Sequence, residues 1–216
     1  MASRAEMIDL IDNSGIDAVV NLARAQPATV RYLISLLYER EGDRRWRAVA
    51  ALGRIAAERA SGDPEAVREI IRRLFWMLNH ESGNMAWSVP EAVGDIIARC
   101  PDLYGDFAAN LVYNHLDDEP LRRGVLWAIG RVGEQHPELV AYAIPEVEPL
   151  LEDPDPEIRG YAAWALGKLK VAGPSLAGLL PDASKVEIWE DGELRSFTIS
   201  QLAERALAHS VLGHKP

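Results

Sequence analysis

A glycine-anchored segment that recurs four times constrains the fold of this chain more than any other feature. Alanine stands two residues before each glycine, and an aliphatic residue stands one before it and two after it. At about 100° per residue these small and aliphatic positions share one helix face, which lets neighbouring helices approach closely. The glycines are 41, 36 and 37 residues apart, a period typical of helical repeats. They are Gly53, Gly94, Gly130 and Gly167.

The glycine-anchored segment is predicted to be the second helix of each repeat. An amphipathic segment precedes it and predicts the first helix. Examples are residues 64–78, 101–116 and 137–151. Turn and capping residues separate the two helices of a repeat, so each unit is predicted to be helix, short turn, helix. Pro145 and Pro149 predict that the third segment is kinked or begins late, because proline cannot donate a helical hydrogen bond.

The stretch DPDPEIRGYAAWALGKL, residues 153–169, resembles the HEAT-like repeat family, in particular the short bacterial form shared with phycobilin lyases. Asp155 and Arg159 stand in the family's turn-aspartate and helix-arginine places, and Arg45 and Arg122 repeat the arginine. The resemblance implies a solenoid of paired helices.

The second repeat departs from this pattern. It has Ala86 in the place of the arginine, and Pro90 is predicted to lie inside the helix. Because an interior proline breaks the helical ladder, we expect this repeat to be distorted.

The C-terminal region changes character and predicts a β-hairpin followed by a helix. The segments VEIW and ELRSF flank Asp191-Gly192, a strong two-residue hairpin signal. Thr198 and Gln201 form a capping box ahead of a helix that runs to about residue 208. An isolated hairpin is marginal in water, so this one must pack on the last repeat or on a partner.

The predicted fold class is all-α, an α-α superhelix of the HEAT-like solenoid type with a small C-terminal β-hairpin and helix cap. Three segments are expected along the chain. Residues 1–27 form N-terminal capping helices, residues 28–180 form the repeats, and residues 181–216 form the hairpin and helix cap.

Four tryptophans fall on predicted solvent-facing positions of the second helix of each repeat. The family resemblance implies that this helix lines a concave surface. Five cations share that face with only Glu91 and Asp95, which predicts an aromatic and mildly basic groove. Tryptophan and arginine dominate binding hot spots, so the groove is a candidate recognition strip. The predicted partner-binding residues are Trp46, Arg47, Trp87, Glu91, Arg123, Trp127, Arg131, Tyr161, Trp164 and Lys168.

A second interpretation of the same tryptophans stays open. In a short, tightly curved array the indoles would pack against one another or under the terminal caps. Separately, Glu91 and Asp95 are four residues apart on one helix face, a spacing at which two carboxylates can approach each other and raise one pKa, although ordinary solvated carboxylates are the favoured interpretation.

Composition limits the classes of partner. The chain has 216 residues, with 23 Lys and Arg against 33 Asp and Glu, and a formal charge of −10. That excess argues against charge-driven binding to nucleic acid or an anionic membrane. Cys100 is the only cysteine, so no cysteine cluster holds a metal. No signal core or long apolar run is evident, and we expect a cytoplasmic protein.

Catalytic motifs, cofactor fingerprints and clustered metal ligands are not found in the sequence. The pair His80-Glu81 is similar to the His-Glu pairs of HEAT-repeat di-iron hydroxylases, but it occurs once and is interpreted as part of a turn. No catalytic residue, metal or cofactor is therefore predicted.

The favoured function is a non-catalytic scaffold or adaptor that binds a protein or peptide segment, an acidic one, in the groove; its oligomeric state is left open. One alternative is a HEAT-like DNA glycosylase, and another is chromophore handling of the phycobilin-lyase type. The residue types matching a glycosylase groove would be Trp87, Asp95, Trp127, Arg131 and Trp164.

Overall fold

The computed structural model describes residues 2–78 and 85–212, with side chains described through residue 208. The turn predicted at His80-Glu81 lies outside these residues. Within the described ranges, no helix is both long and apolar enough to cross a membrane.

Two compact units divide the chain. The N-terminal unit is Met1–Asp106 and the C-terminal unit is Phe107–Pro216. The N-terminal unit contains a 3-10 turn, Pro27–Thr29, and the helices α1 Arg4–Asn13, α2 Gly15–Ala25, α3 Val30–Leu36, α4 Asp43–Ala60, α5 Pro64–Trp76, α6 Val89–Arg99 and α7 Pro101–Tyr104.

The C-terminal unit is helical with one two-stranded sheet among the described residues. Helix α8 begins at the boundary between the units. The helices are α8 Asp106–His115, α9 Glu119–Gly133, α10 Ile144–Val147, α11 Pro156–Lys168, α12 Pro174–Gly178 and α13 Ile199–Leu212, and the strands are β1 Lys185–Glu190 and β2 Glu193–Thr198. The 3-10 turns are Pro137–Leu139, Ala141–Ala143 and Glu148–Glu152.

Two short helices form the N-terminal segment, as predicted. Helix α1 begins with a capping box in which Ser3 and Glu6 bond each other's main-chain N–H groups. Its apolar residues Met7 and Ile11 are fully buried. Arg44 of α4 pairs with Asp12 at 2.7 Å, which lowers the pKa of that carboxyl and ties α1 to α4.

The glycines allow the close helix contacts that the repeat predicts. A Cβ atom on Gly130 of α9 would overlap the ring of Trp164 on α11. A Cβ atom on Gly167 would lie 3.1 Å from the Cβ of Ala206 on α13, and one on Gly53 would overlap the carboxylate of Asp95 on α6. The prediction is confirmed at these three positions, but large side chains as well as small ones fill the spaces.

Helix α6 differs from its predicted form because it begins only at Val89. Pro90 therefore lies in the first turn, where its missing N–H is tolerated, and not inside the helix. Trp87 was predicted on this helix but precedes it, so that assignment is wrong. All residues from Val89 to Ala98 are buried.

The proline-containing segment 137–151 is not one continuous helix. It consists of 3-10 turns and the four-residue helix α10, with Pro145 in that helix and Pro149 in the following turn. The predicted kink or late start is confirmed, since neither proline can donate to a helical ladder.

The predicted hairpin and the capping box after it are both confirmed. Strands β1 and β2 are antiparallel, with Glu190 opposite Glu193. Asp191 and Gly192 have φ values of 54° and 86°, the positive values that a type I′ turn requires. Thr198 Oγ1 accepts from Gln201 N at 3.2 Å, and Gln201 Oε1 accepts from Thr198 N at 2.9 Å.

Candidate functional site

Three of the four tryptophans that were predicted to face solvent are buried. The exposed fractions are 0% for Trp46, 3% for Trp127 and 6% for Trp164, whereas Trp87 is half-buried. The prediction of a solvent-exposed indole row is therefore wrong. Its physical cause is cover by other segments of the chain, which helix periodicity does not report.

In the C-terminal unit the hairpin covers the tryptophans. The rings of Trp127 and Trp164 are nearly parallel, at 8°, with centroids 6.2 Å apart. The Nε1–H of Trp127 donates to the main-chain oxygen of Trp189 at 3.0 Å, and that of Trp164 donates to Glu190 Oε1 at 3.2 Å. Mutual packing under a terminal cap, the second interpretation of the sequence, is what the structure shows here.

The free edge of β1 supplies the main-chain acceptors. In a hairpin closed by the pair Glu190 and Glu193, the carbonyl groups of Glu187 and Trp189 point away from β2. Tyr161 donates its hydroxyl hydrogen to Glu187 O at 2.8 Å, just as Trp127 donates to Trp189. Side-chain donors on α9 and α11 thus satisfy two carbonyls of an extended strand.

The strand lies close to α11 because that helix has a glycine at the contact. A Cβ atom on Gly160 would lie 2.7 Å from Cγ1 of Val186. Val186 and Ile188 are 4% and 0% exposed and share one face of β1 with Glu190. The strand therefore buries two aliphatic side chains and one carboxylate on the same side.

Glu190 is the electrostatic centre of this contact. Its side chain is 4% exposed and accepts from Lys168 Nζ at 2.9 Å and from Arg205 at 3.0 Å. Burial raises the pKa of Glu190. The hydrogen bond and charge of Lys168, together with the hydrogen bonds from Trp164 and Arg205, outweigh this effect, so the pKa is lowered. Burial similarly opposes protonation of Lys168, yet Glu134 and Glu190 hold its pKa above the ordinary value.

A cavity of about 150 Å³ lies beside this cluster. It has a wall of indole and several charged side chains. Three cations line it against two carboxylates, and Lys170 has no ion-pair partner among the described side chains. The charged lining residues are Glu134, Lys168, Lys170, Glu190 and Arg205.

In the N-terminal unit, the end of α1 accepts hydrogen bonds from a side chain on α4, as β1 does from α9 and α11 in the other unit. Arg47 donates to the main-chain oxygens of Ile11 and Asp12 at 3.2 and 3.1 Å, at the end of α1. Trp87 retains a half-buried ring, with the guanidinium of Arg40 stacked 4.2 Å from its centroid. It is the predicted indole that keeps accessible surface.

The two carboxylates on α6 are buried, not solvated as favoured from the sequence. Glu91 is 1% exposed and pairs with Arg45 at 3.2 Å; Asp95 is 3% exposed and pairs with Arg99 at 2.8 Å. Each carboxylate has its own arginine, because burying an unpaired charge is costly. Arg45 was recognised as a repeat position, but its ion pair was not predicted.

The remaining cations of the predicted strip also have acidic neighbours. Arg123 pairs with Glu157 at 2.8 Å, and Arg131 lies 3.8 Å from Glu134. These contacts offset the positive charge that the strip alone would carry. In the described ranges, no three His, Cys, Asp or Glu side chains are grouped closely enough to hold a metal ion.

Sequence reasoning missed Glu190, Trp189 and Arg205 as parts of the contact. One signal was available. Glu190 has the same strand parity as the apolar Val186 and Ile188, so period-2 alternation places a carboxylate on the buried face. A buried carboxylate requires a nearby cation.

Comparison with known proteins places this architecture. The model of the HEAT-like repeat family matches residues 119–169. An uncharacterized protein of Archaeoglobus fulgidus is 30% identical over 190 residues, which cover 85% of this chain and 96% of that protein.

Two solved structures have a similar fold at low sequence identity. A designed armadillo repeat protein in complex with the peptide (KR)4 has a TM-score of 0.62 at 18% identity, covering 95% of this chain and 90% of that one. A second designed armadillo repeat protein has a TM-score of 0.59 at 19% identity, covering 96% and 92%. The predicted helical solenoid with its small sheet is confirmed, and the chain belongs to the HEAT-like repeat family.

Proposed function

We propose that this protein is a non-catalytic helical-repeat module that binds an extended, acidic segment of a partner protein. The binding surface is the hairpin-covered face, defined as Trp127 of α9 with Tyr161, Trp164 and Lys168 of α11. One observation carries the proposal. This face holds β1, which is itself an extended segment with a buried acidic residue.

The contacts of β1 specify what a partner would need. Tyr161 and Trp127 bind main-chain carbonyls, so they accept any extended sequence. The aliphatic side chains of the alternate residues Val186 and Ile188 are buried, and Lys168 with Arg205 takes a carboxylate. A segment with two alternating aliphatic residues followed by an acid matches all three requirements.

The relatives support peptide binding as a use of the fold. The designed armadillo repeat protein is in complex with a basic peptide, (KR)4. The cations around Glu190 in this chain favour the opposite charge in a partner. The DNA glycosylase alternative receives no support, because Asp95, Trp127 and Trp164 are buried. No observation supports the chromophore-lyase alternative.

Displacement of β1 is energetically feasible for two reasons. An isolated two-stranded hairpin is marginally stable, so β1 and β2 depend on the helices beneath them. A carboxylate of the partner would re-form the ion pairs with Lys168 and Arg205 that Glu190 gives up, so no buried cation is left unpaired. A partner would bind with an affinity reduced by the fraction of molecules in which the hairpin is open.

The test uses a fluorescent peptide, KVEIWE, copied from residues 185–190. Anisotropy titrations compare the wild type with Ile188→Ala. This variant weakens the packing of the hairpin and changes no residue of a helix. We expect the variant to bind the peptide about tenfold more tightly, because less of the binding energy is used to open β1.

Two controls make the outcome decisive. The peptide KVEIWQ, which lacks the final carboxylate, should bind several-fold more weakly to the same variant. If Ile188→Ala loses its helical circular dichroism, Glu190→Gln serves as the loosened variant. Failure of both folded variants to bind KVEIWE would exclude the proposal.

A cytoplasmic location remains a prediction from the sequence.

A further inference from the structure

Two adjoining cavities form one groove on the N-terminal unit, called the N-terminal groove below. Their volumes are about 420 and 400 Å³, and Pro27, Val30 and Arg59 line both. Helices α2 and α4 border the first cavity, and α3 and α5 border the second. The groove is independent of the hairpin-covered face, which belongs to the other unit.

The floor of the N-terminal groove is apolar. Val20, Ala23 and Ile55 line the first cavity, and Ile34 and Ile70 line the second. These side chains come from four different helices, so the packing of the helices fixes the shape of the groove. Each volume has room for a small number of aliphatic side chains from a ligand.

The rim carries more positive than negative charge. Four arginines line the groove against two glutamates. Glu58 pairs with Arg24 at 2.7 Å, and Glu69 pairs with Arg72, which does not line the groove. The arginines of the rim are Arg24, Arg31, Arg59 and Arg73.

Two of these arginines are available to a ligand. The guanidinium of Arg31 donates a hydrogen bond of 2.9 Å to the hydroxyl of Tyr32 and lies 4.8 Å from the centroid of that ring. Arg73 is exposed. Within the ranges 2–78 and 85–208, no carboxylate is within ion-pair distance of either residue.

We propose that the N-terminal groove binds a short acidic amphipathic segment of a partner protein. Its aliphatic side chains would contact the isoleucine and valine floor, and its carboxylates would pair with Arg31 and Arg73. Charge complementarity selects this occupant, because the four arginines of the rim against two glutamates favour acidic partners locally, although the chain as a whole has a net charge of −10. The mode is that of an amphipathic segment laid in a groove.

The test measures binding of the labelled peptide EELLEELLEE to the full-length protein by fluorescence anisotropy. Carbon-13 labelled isoleucine methyl groups report where it binds. We expect shifts in the signals of Ile34, Ile55 and Ile70, and little change at Ile188 of β1. This readout separates the N-terminal groove from the hairpin-covered face.

A matched pair of variants tests the charges. Arg31→Glu with Arg73→Glu should weaken the peptide at least about tenfold. Arg4→Glu with Lys185→Glu makes the same change in net charge outside the groove and should alter binding less than about twofold. Circular dichroism confirms that both double variants are folded.

Several outcomes would overturn the proposal. They are equal losses in the two double variants, equal binding of KKLLKKLLKK, and shifts confined to Ile188. Concentration-dependent self-association that perturbs the same three methyl groups would assign the groove to a second copy of the chain instead. Undiminished binding of EESSEESSEE would show that the apolar floor is not used.

Discussion

The two units bury their tryptophan-bearing helices with different terminal segments but by the same chemistry. In the N-terminal unit, Arg47 donates to carbonyls at the end of α1. In the C-terminal unit, Trp127 and Tyr161 donate to carbonyls on the free edge of β1. A helix end and a strand edge both expose unsatisfied main-chain acceptors. In both units, side chains on the second helices of the repeats donate hydrogen bonds to main-chain carbonyl groups of the segment that covers them.

The units also differ in how they neutralise a buried carboxylate. Glu91 of the N-terminal unit is paired with Arg45 alone, and its Oε2 atom has no hydrogen-bond donor among the described residues. Glu190 of the C-terminal unit has Lys168 and Arg205, and Arg205 is 44% exposed. The first site therefore depends on a single cation, whereas the second has two, of which Arg205 remains in contact with water.

The largest effect is expected where that dependence is broken. Arg45→Ala leaves Glu91 buried without a cation and should lower the free energy of unfolding by about 3–5 kcal/mol. The matched variant Arg205→Ala should cost about 1 kcal/mol or less, because Lys168 remains and the lost contact is partly solvated. Urea unfolding followed by circular dichroism measures both. Equal losses would show that the two carboxylate sites do not differ.

A smaller effect is expected from overfilling the contact between α9 and α11. Gly130→Leu should lower the free energy of unfolding by about 1–3 kcal/mol, because its side chain would meet the indole of Trp164. Gly178→Leu is the control, since nothing lies within 4 Å of a Cβ atom there. An unchanged urea midpoint for Gly130→Leu would contradict the close packing beneath the hairpin.

The smallest expected effect is a pH-dependent change in the stability difference between the wild type and Glu190→Gln. The folded-state pKa of Glu190 is lowered from 4.5, so its ionisation stabilises the protein above the unfolded pKa. That contribution is lost as pH falls through the folded pKa. Glu190→Gln should therefore be less stable than the wild type at about pH 7, with the gap narrowing by about pH 3.

Urea melts at the two pH values measure this narrowing. A gap that stays constant would mean that Glu190 contributes through shape and hydrogen bonding, with no role for its charge. Glu91→Gln in the other unit provides the parallel measurement, so that the two buried carboxylates can be compared under the same conditions.

Local patterns predicted a large part of the fold. The glycine register identified the contacts of Gly53, Gly130 and Gly167, because close approach requires a missing side chain. Asp191-Gly192 identified the turn and Thr198 with Gln201 the capping box, because both depend on residues within four positions of each other. The start of α6 was mispredicted, since helical spacing was extended past a proline that begins the helix.

The candidate site was predicted less well than the fold. Helix periodicity identified Trp127, Tyr161, Trp164 and Lys168 as members of one face, and they do converge on β1. The same periodicity wrongly assigned the indoles to solvent. Neither Glu190 nor Arg205 was recognised, because the polar atoms that they join come from different elements.

The sequence by itself determined the helices, their close contacts and the hairpin, since each depends on residue types a few positions apart. Only the tertiary structure decided what covers the tryptophans. Trp127 and its acceptor on Trp189 are 62 residues apart, and Arg47 and its acceptor on Ile11 are 36 apart. A periodic pattern defines a face of a helix, but the segment that covers it is selected by free-energy terms from the whole fold: apolar burial, main-chain acceptors and a carboxylate between two cations.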